Sequence, residues 1–450
     1  MFVRKKRNRS GTTTIVVVNK RHGKFEEVRN FGTAKTESEV SELYSKAQHW
    51  LNTNGGQQSI DFEDLKGREL EATERFFENI DSVLINGTQL LLGQVYDSIG
   101  FNRTGDEVLR HLVIARVSQP MSKLATVEYL KSYYDEDVDL NRIYRYMDRL
   151  YKTQQELVQN ISVEHTRKIL GGRIGLMFYD VSTLYFETSM TDNLREPGFS
   201  KDGKTAESQV VLGLLVSEGG YPLSYSLFNG SQYEGYTMLP IIDDFKQRFN
   251  LGDDFVVVAD SGLMSTANVK LLRSAGYKYI IGARIKSESK AVKEWILSHE
   301  KRDGHYFECK RDDGERLIVG YSDKRAKKDA YNRSRGVADQ YHGLWVVEKA
   351  FRVSKGTLDM RPMFHFTERR IEAHVCICFV AYKVYKELER IIKLAGINMS
   401  IREVLKTART IITVRVNMPE NKDVYVKTLF LTKRQKTIEP LFKLSNLGLK

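Results

Sequence analysis

Ile174-Gly175-Leu176-Met177-Phe178-Tyr179-Asp180 is an apolar run that ends on a carboxylate. A second run, Phe255-Val256-Val257-Val258-Ala259, ends the same way on Asp260. Runs this short, rich in β-branched and aromatic residues, read as buried strands. An Asp that closes such a strand lies at the carboxyl edge of a sheet, where open α/β sheets bind ligands. Taken singly, either Asp is better explained as a helix cap or turn former. Their joint occurrence with the elements around them favours one shared site.

After Asp180, Thr183-Leu184-Tyr185-Phe186-Glu187 can pair back as a further strand, and a polar loop follows through Lys204. Gln209 to Val216 and Tyr221 to Phe228 form a hairpin signal about Glu218-Gly219-Gly220. Thr237 to Asn250 has helical periodicity, with Leu239, Ile242 and Phe245 on one side. Thr266 to Gly276 reads as a helix stopped by glycine, and Tyr277 to Gly282 as one more strand. The predicted order is three strands, helix, strand, helix, strand, an α/β core.

A third acid, Glu348, lies in the segment from Tyr341 to Lys355. If that segment is helical, Tyr341, Glu348, Arg352 and Lys355 share a face. An exposed row of ion pairs would look the same. Three carboxylates suit hard divalent cations, because waters and substrate phosphates complete the octahedron of Mg²⁺. Two such ions about 3.5–4 Å apart stabilise both the attacking and the leaving oxygen of an in-line phosphoryl displacement. This reading requires side chains 180, 260 and 348 to converge.

Four pieces of sequence now resemble a known family. They are Asp180 in Tyr179-Asp180-Val181-Ser182-Thr183-Leu184-Tyr185-Phe186-Glu187, the loop Gly198-Phe199-Ser200-Lys201-Asp202-Gly203-Lys204, Asp260 in Ala259-Asp260-Ser261-Gly262-Leu263-Met264-Ser265, and Glu348 in Trp345-Val346-Val347-Glu348-Lys349-Ala350-Phe351-Arg352. Together they resemble bacterial insertion-sequence transposases of the DDE class, in the branch with a β-rich insertion before the catalytic glutamate. The resemblance covers roughly Arg173 to His374.

The resemblance implies an RNase H-like catalytic core, with the first acid on the first strand, the second on the fourth and the third on a late helix. It implies a mainly helical N-terminal DNA-binding region over 1–170, core segments over 171–283 and 341–398, a β-rich insertion over 284–340 and a C-terminal region over 399–450. Asp180, Asp260 and Glu348 would be the catalytic residues and the ligands of two Mg²⁺ ions, with Mn²⁺ as a substitute. The substrates would be double-stranded DNA, the element's terminal inverted repeats and a target, handled by a homodimer in the DNA complex. Hydrolysis would free a 3′-hydroxyl that then attacks target DNA in the same site.

The branch carries a signature of Tyr, Arg, Glu and Lys. Tyr341, Glu348 and Lys355 match it, Leu344 stands where arginine is expected, and Arg352 is the candidate to supply the missing guanidinium. With Lys201 and Lys204 these residues would neutralise and orient phosphates; the loop that holds the two lysines reads equally as a basic turn. Two other readings stay open: a DNA-binding protein derived from such an enzyme without catalysis, and an RNase H-like nuclease without strand transfer.

Composition agrees with a polyanionic partner. Seventy Lys and Arg against 58 Asp and Glu give a net charge of +12 and a pI near 9.3. A chain of 450 residues is too long for one simple core and should divide into roughly two to four domains. Cys309, Cys376 and Cys378 form no disulfide framework, and at i, i+2 on a helix the last two point to different faces. Neither a signal peptide nor a membrane-spanning run is present, which fits a bacterial cytoplasmic, nucleoid-associated protein.

Near the amino terminus, Thr12 to Lys20 and Lys24 to Phe31 read as a hairpin flanked by a basic tail, Arg4 to Arg9. Thr36 and Glu39 form a capping box for a helix through Trp50 that ends near Gly55-Gly56. Ser122 to Tyr134 and Leu140 to Asn160 are a candidate helix-turn-helix. On the second segment Ile143, Met147 and Leu150 make an apolar stripe, and Arg142, Arg145, Arg149 and Lys152 a basic one. A solvated charged face explains the basic stripe as well.

In the insertion, His305 to Arg311 and Glu315 to Tyr321 alternate about Asp312-Asp313-Gly314, followed by the basic stretch Lys324 to Arg333. Thr367 to Ala395 reads as a long amphipathic helix with Ile371, Val375, Phe379 and Tyr382 on one side and Glu368 and Glu372 as surface or capping acids. His365 and His374 read as packing or hydrogen-bonding residues.

Overall fold

The computed structural model describes residues 1–21, 23–54, 62–199, 206–249, 255–263, 265–311, 314–324, 326–327, 345–361, 363–418 and 423–444. The chain forms two compact units: residues 1–81 with 416–425, and residues 82–415 with 426–450.

In the smaller unit, β1 (Phe2–Arg7), β2 (Thr13–Arg21) and β3 (Lys24–Ala34) form an antiparallel sheet in that order, followed by α1 (Glu37–Asn54) and α2 (Phe62–Glu78). The expected hairpin is present. The basic segment, however, is no tail: Arg4 pairs with Val16 and Lys6 with Thr14. Its charges suit an edge strand, where Lys and Arg discourage pairing with a foreign chain. Ile15 and Val17 are buried against Ala47 of α1. The capping box forms, with Thr36 N donating to Glu39 Oε2 at 3.3 Å and Glu39 N to Thr36 Oγ1 at 3.4 Å. Gly55-Gly56 lies outside the described residues. Strand β4 (Ile80–Leu84) then carries the chain into the larger unit.

The larger unit begins with five helices, α3 (Gly87–Ile99), α4 (Glu107–Ser118), α5 (Lys123–Tyr134), α6 (Leu140–Thr153) and α7 (Gln155–Ile169). Where one helix was expected from Leu140 to Asn160, the chain breaks at Gln154. That side chain turns inward: its Oε1 accepts from Tyr146 Oη at 2.7 Å and its Nε2 donates to Thr104 O at 3.1 Å.

The central sheet contains β5 (Leu176–Tyr185), β6 (Gln209–Ser217), β7 (Pro222–Asn229), β8 (Val256–Ala259) and β9 (Lys278–Ile281), in the order β7-β6-β5-β8-β9. β7, β6 and β5 are antiparallel; β8 and β9 run parallel to β5. Helix α8 (Met238–Phe249) joins β7 to β8 and α9 (Thr266–Ser274) joins β8 to β9. This is the mixed α/β order expected of an RNase H-like core. One expectation fails: Thr183 to Tyr185 continue β5 in pairing with β6 and form no second strand. Asp180 therefore sits inside its strand, not at its end.

Alternation along β5 sends its residues to two cores. Met177, Tyr179 and Val181 join Ile241, Ile242 and Phe245 of α8. Phe178 and Leu184 face the other core, which is built on the helices. Beyond the sheet come α10 (Lys290–Ser298) and an antiparallel hairpin of β10 (Tyr306–Lys310) and β11 (Arg316–Gly320), the hairpin that the alternation of these two segments predicts. Asp312, Asp313 and most of the basic stretch after Lys327 fall outside the described residues.

Helix α11 (Trp345–Arg352) is followed by α12 (Glu368–Leu394), α13 (Ile401–Ala408), β12 (Ile412–Asn417), β13 (Val424–Leu429) and α14 (Lys433–Ile438). Helix α12 fills the expected span, but it is not amphipathic. Packed against α3, α4, α6 and α7, it is buried nearly all round, so Cys376 and Cys378, which point to different faces as expected, are both inside. Among the described residues no helix is long and apolar enough to cross a membrane.

Candidate active site on the central sheet

The β5–β8 register decides where the aspartates stand. The last paired residues are Tyr179 and Ala259, so Asp180 and Asp260 follow one step later on neighbouring strands. Neighbouring strands lie about 4.8 Å apart. β5 runs on past this point while β8 stops, which sets Asp180 abreast of the strand end that carries Asp260. Each carboxylate accepts the amide of the next residue: Val181 N donates to Asp180 Oδ1 at 2.8 Å, and Ser261 N to Asp260 Oδ1 at 2.6 Å. The second contact opens the tight turn Ser261–Leu263, braced by Arg284 Nε on Ser261 O at 2.9 Å.

Beside Asp260 lies a cavity of about 750 Å³ reaching from β8 and β9 to β11. Arg273, Lys278, Arg311 and Arg316 line it together with Glu315. Sequence reading did not single out these four cations. Their signal was weak, since β9 and β11 are distant in the chain and each contributes isolated charges.

Helix α11 lies on β5 and β6. Val347, Ala350 and Phe351, at helical spacing, are its buried face. They join the core that Phe178 and Leu184 enter, so α11 covers the sheet face to which Asp180 belongs. Glu348 is exposed on this helix. Lys349 beside it is held by Glu389 of α12 at 2.8 Å. Among the described residues, no three His, Cys, Asp or Glu stand close enough together to hold a metal ion. The structure thus brings Asp180 and Asp260 together and places Glu348 on a helix over the same face, without closing a three-acid set. Two neighbouring carboxylates still suit a hard divalent cation, whose remaining positions water and phosphate fill.

After Arg352 the helix widens into a π turn, Val353–Thr357. Each residue of such a turn advances less than in an α-helix. Lys355 therefore leaves the line of Glu348 and Arg352 that uniform helix geometry predicts. Its ammonium bonds Ser182 Oγ, two residues along β5 from Asp180 on the same face, and lies 5.6 Å from the Phe351 ring centre. Arg352 is exposed. Tyr341, Leu344, Lys201 and Lys204 lie outside the described residues.

On α6 the two stripes fall as drawn from sequence. Ile143, Met147 and Leu150 are buried, while Arg142, Arg145, Arg149 and Lys152 are exposed. Arg149 pairs with Asp106 at 3.2 Å.

Residues 180–383 match a family described as the transposase DDE domain. The match begins at Asp180 and encloses Asp260 and Glu348. No curated protein sequence matches the chain. Among solved structures, one similar chain is from the cryo-EM structure of the piggyBac transposase synaptic complex with hairpin DNA, at 12% identity over 68% of this chain and 70% of that one, with a TM-score of 0.38. Another is from the Mos1 transposase paired-end complex with the left transposon end, at 10% identity over 75% of this chain and 93% of that one, with a TM-score of 0.19.

Proposed function

We propose, from the transposase DDE domain that this chain carries across residues 180–383, that it is a DNA transposase that cuts the ends of its element and joins the freed 3′-hydroxyl to target DNA. The observation that carries the proposal is the parallel register of β5 and β8, which sets Asp180 beside Asp260 inside the matched segment.

In this proposal Asp180 and Asp260 hold a divalent cation, with Glu348 as the third acid. Mg²⁺ is the expected ion and Mn²⁺ its substitute. When bound, such an ion supplies Lewis acidity toward phosphoryl oxygen and lowers the pKa of water. The chain's own residues position the rest. Lys355, tied to Ser182 on the strand of Asp180, presents a cation to the scissile phosphate. Arg352 on the exposed face of α11, together with Tyr341, Lys201 and Lys204, orients flanking phosphates. The basic cavity beside Asp260 suits a DNA strand leaving the site, because Arg and Lys contacts to phosphate fix position without reading sequence. Two ends handled at once would call for a homodimer in the DNA complex.

The test is a cleavage and joining assay with Mg²⁺, a labelled duplex carrying the element's own terminal repeat, and a target plasmid. Asp180→Asn, Asp260→Asn and Glu348→Gln should each abolish cleavage and leave binding to the end duplex nearly intact. Retained cleavage in one variant removes that residue from the site. Cleavage by the wild-type chain without joined product would favour an RNase H-like nuclease. Binding without cleavage would favour a DNA-binding derivative.

A further inference from the structure

Away from the two aspartates, a cavity of about 260 Å³ lies between α4, the start of α5, α6, α12 and the residues Asp359, Arg361, Phe364 and His365. Arg116, Lys123, Arg361, His365 and His374 line it, and Asp359 is the one acid among its described lining residues. Arg116 is 7% exposed and Lys123 6%. Lys123 Nζ lies 3.3 Å from His374 Nδ1, and Arg116 Nη1 donates to the carbonyls of Leu358 at 3.4 Å and Asp359 at 3.3 Å. These partners are neutral groups, and a buried cation without a counter-charge is costly.

The neighbours register that cost. Burial, then the Lys123 and Arg116 charges, hold His365 down at about 3 and His374 well below its ordinary value. Burial, then Arg116, pulls the Lys123 amine down to about 7. Both imidazoles are therefore neutral, and Lys123, His365 and His374 are all pushed away from their charged forms. An anion would reverse that push. The walls are mixed in character: Tyr144 and the exposed ring of Phe364 also line the cavity. Its volume falls below the roughly 300–1,000 Å³ of pockets for drug-sized ligands. One phosphate, with at most its attached sugar, fits that space.

We propose that this cavity is an anion site that takes a single phosphate group, with Arg116, Lys123 and Arg361 as its donors. Charge-assisted bonds to phosphate are the strong class of hydrogen bond. The phosphate belongs either to a DNA backbone or to a free phosphate or phosphomonoester. The first source rests on the transposase reading; the site itself does not.

The test uses the full chain and inorganic phosphate, with chloride at equal ionic strength as control. The thermal midpoint should rise with phosphate and not with chloride. Lys123→Met and Arg361→Ala should each weaken the apparent phosphate affinity about 10-fold, the loss of one charged hydrogen bond. Arg361 is only half-buried, so its variant reports even if the Lys123 variant fails to fold. In a second arm, duplex binding is measured against salt. A duplex affinity about 10-fold weaker in Arg361→Ala, with a salt slope reduced by about 1, assigns the site to a backbone phosphate. Unchanged duplex binding with a lost phosphate response assigns it to the free species. A phosphate response equal in wild type and both variants overturns the proposal, as does the absence of any response together with unchanged duplex binding.

Discussion

Asn can replace either aspartate without losing its contact to the next backbone amide, because a side-chain amide oxygen still accepts the Val181 or Ser261 N–H while the charge is gone. Asp180→Asn and Asp260→Asn should therefore melt like the wild type, so that their lost cleavage reports on chemistry and not on folding. A lowered midpoint would break that inference. Glu372 is a different kind of acid. Burial lifts it from 4.5 to about 7, against the opposing pull of Gln155 Nε2 at 3.2 Å. Its folded-state pKa is raised, so between pH 4.5 and 7 the folded chain keeps a proton that the unfolded chain has lost, and stability falls as pH rises through that window. Glu372→Gln should match the wild type near pH 4.5 and melt higher at pH 8; parallel curves for the two proteins would show that Glu372 titrates normally. The sequence marked Glu372 as a surface or capping acid because its hydrogen-bond partner, Gln155, lies more than two hundred positions away. Local pattern holds no trace of such a neighbour.

At the scale of elements, the sheet was largely legible: the apolar runs, the glycine-stopped α9 and the hairpin of β6 and β7 all follow from local chemistry. What local chemistry hides is extent. β5 outlasts its apolar run because β6 pairs with it through Tyr185. Likewise α12 shows one apolar stripe in sequence yet is enclosed by four helices, and the π turn after Arg352 has no sequence mark of its own. The close approach of β5 and β6 has one further requirement, a missing side chain. Gly213 pairs with Val181, and a Cβ there would stand 2.6 Å from Tyr179 Oη and 3.2 Å from the Phe228 ring. Tyr179 cannot simply turn away, since it is fully buried and its hydroxyl donates to Thr237 Oγ1 at 2.6 Å. Gly213→Ala should cost about 1–3 kcal/mol, the usual penalty of overpacking. Urea unfolding checks this; a loss below about 0.5 kcal/mol would mean that Tyr179 has room to move. Because Asp180 sits between Tyr179 and Val181, the same variant should also impair cleavage.

For the molecule as a whole, sequence reading could not foresee that residues 416–425 return to the unit formed by residues 1–81, where Asn417 N donates to Asn79 O at 2.9 Å. Contacts that span the entire chain leave no local signature. Net charge does not depend on such contacts, and it was readable at once. With +12 overall, binding to any duplex should be driven by counterion release, its logarithm falling with the logarithm of salt at a slope of about −0.9 per phosphate neutralised. That slope also decides between the two readings of α6. If Arg142, Arg145, Arg149 and Lys152 lie on a duplex, changing all four to Gln removes up to about four phosphate contacts and flattens the slope by about 1 for each side chain that reached one. Arg149 should matter least, since Asp106 already neutralises it at 3.2 Å. The apolar stripe of α6 is packed inside, so these exposed substitutions should leave the melting temperature within about 2 °C of wild type, as surface changes usually cost under about 0.5 kcal/mol. A slope unchanged in the fourfold variant would make the stripe a solvated face and move the search for the duplex surface to other basic parts of the chain.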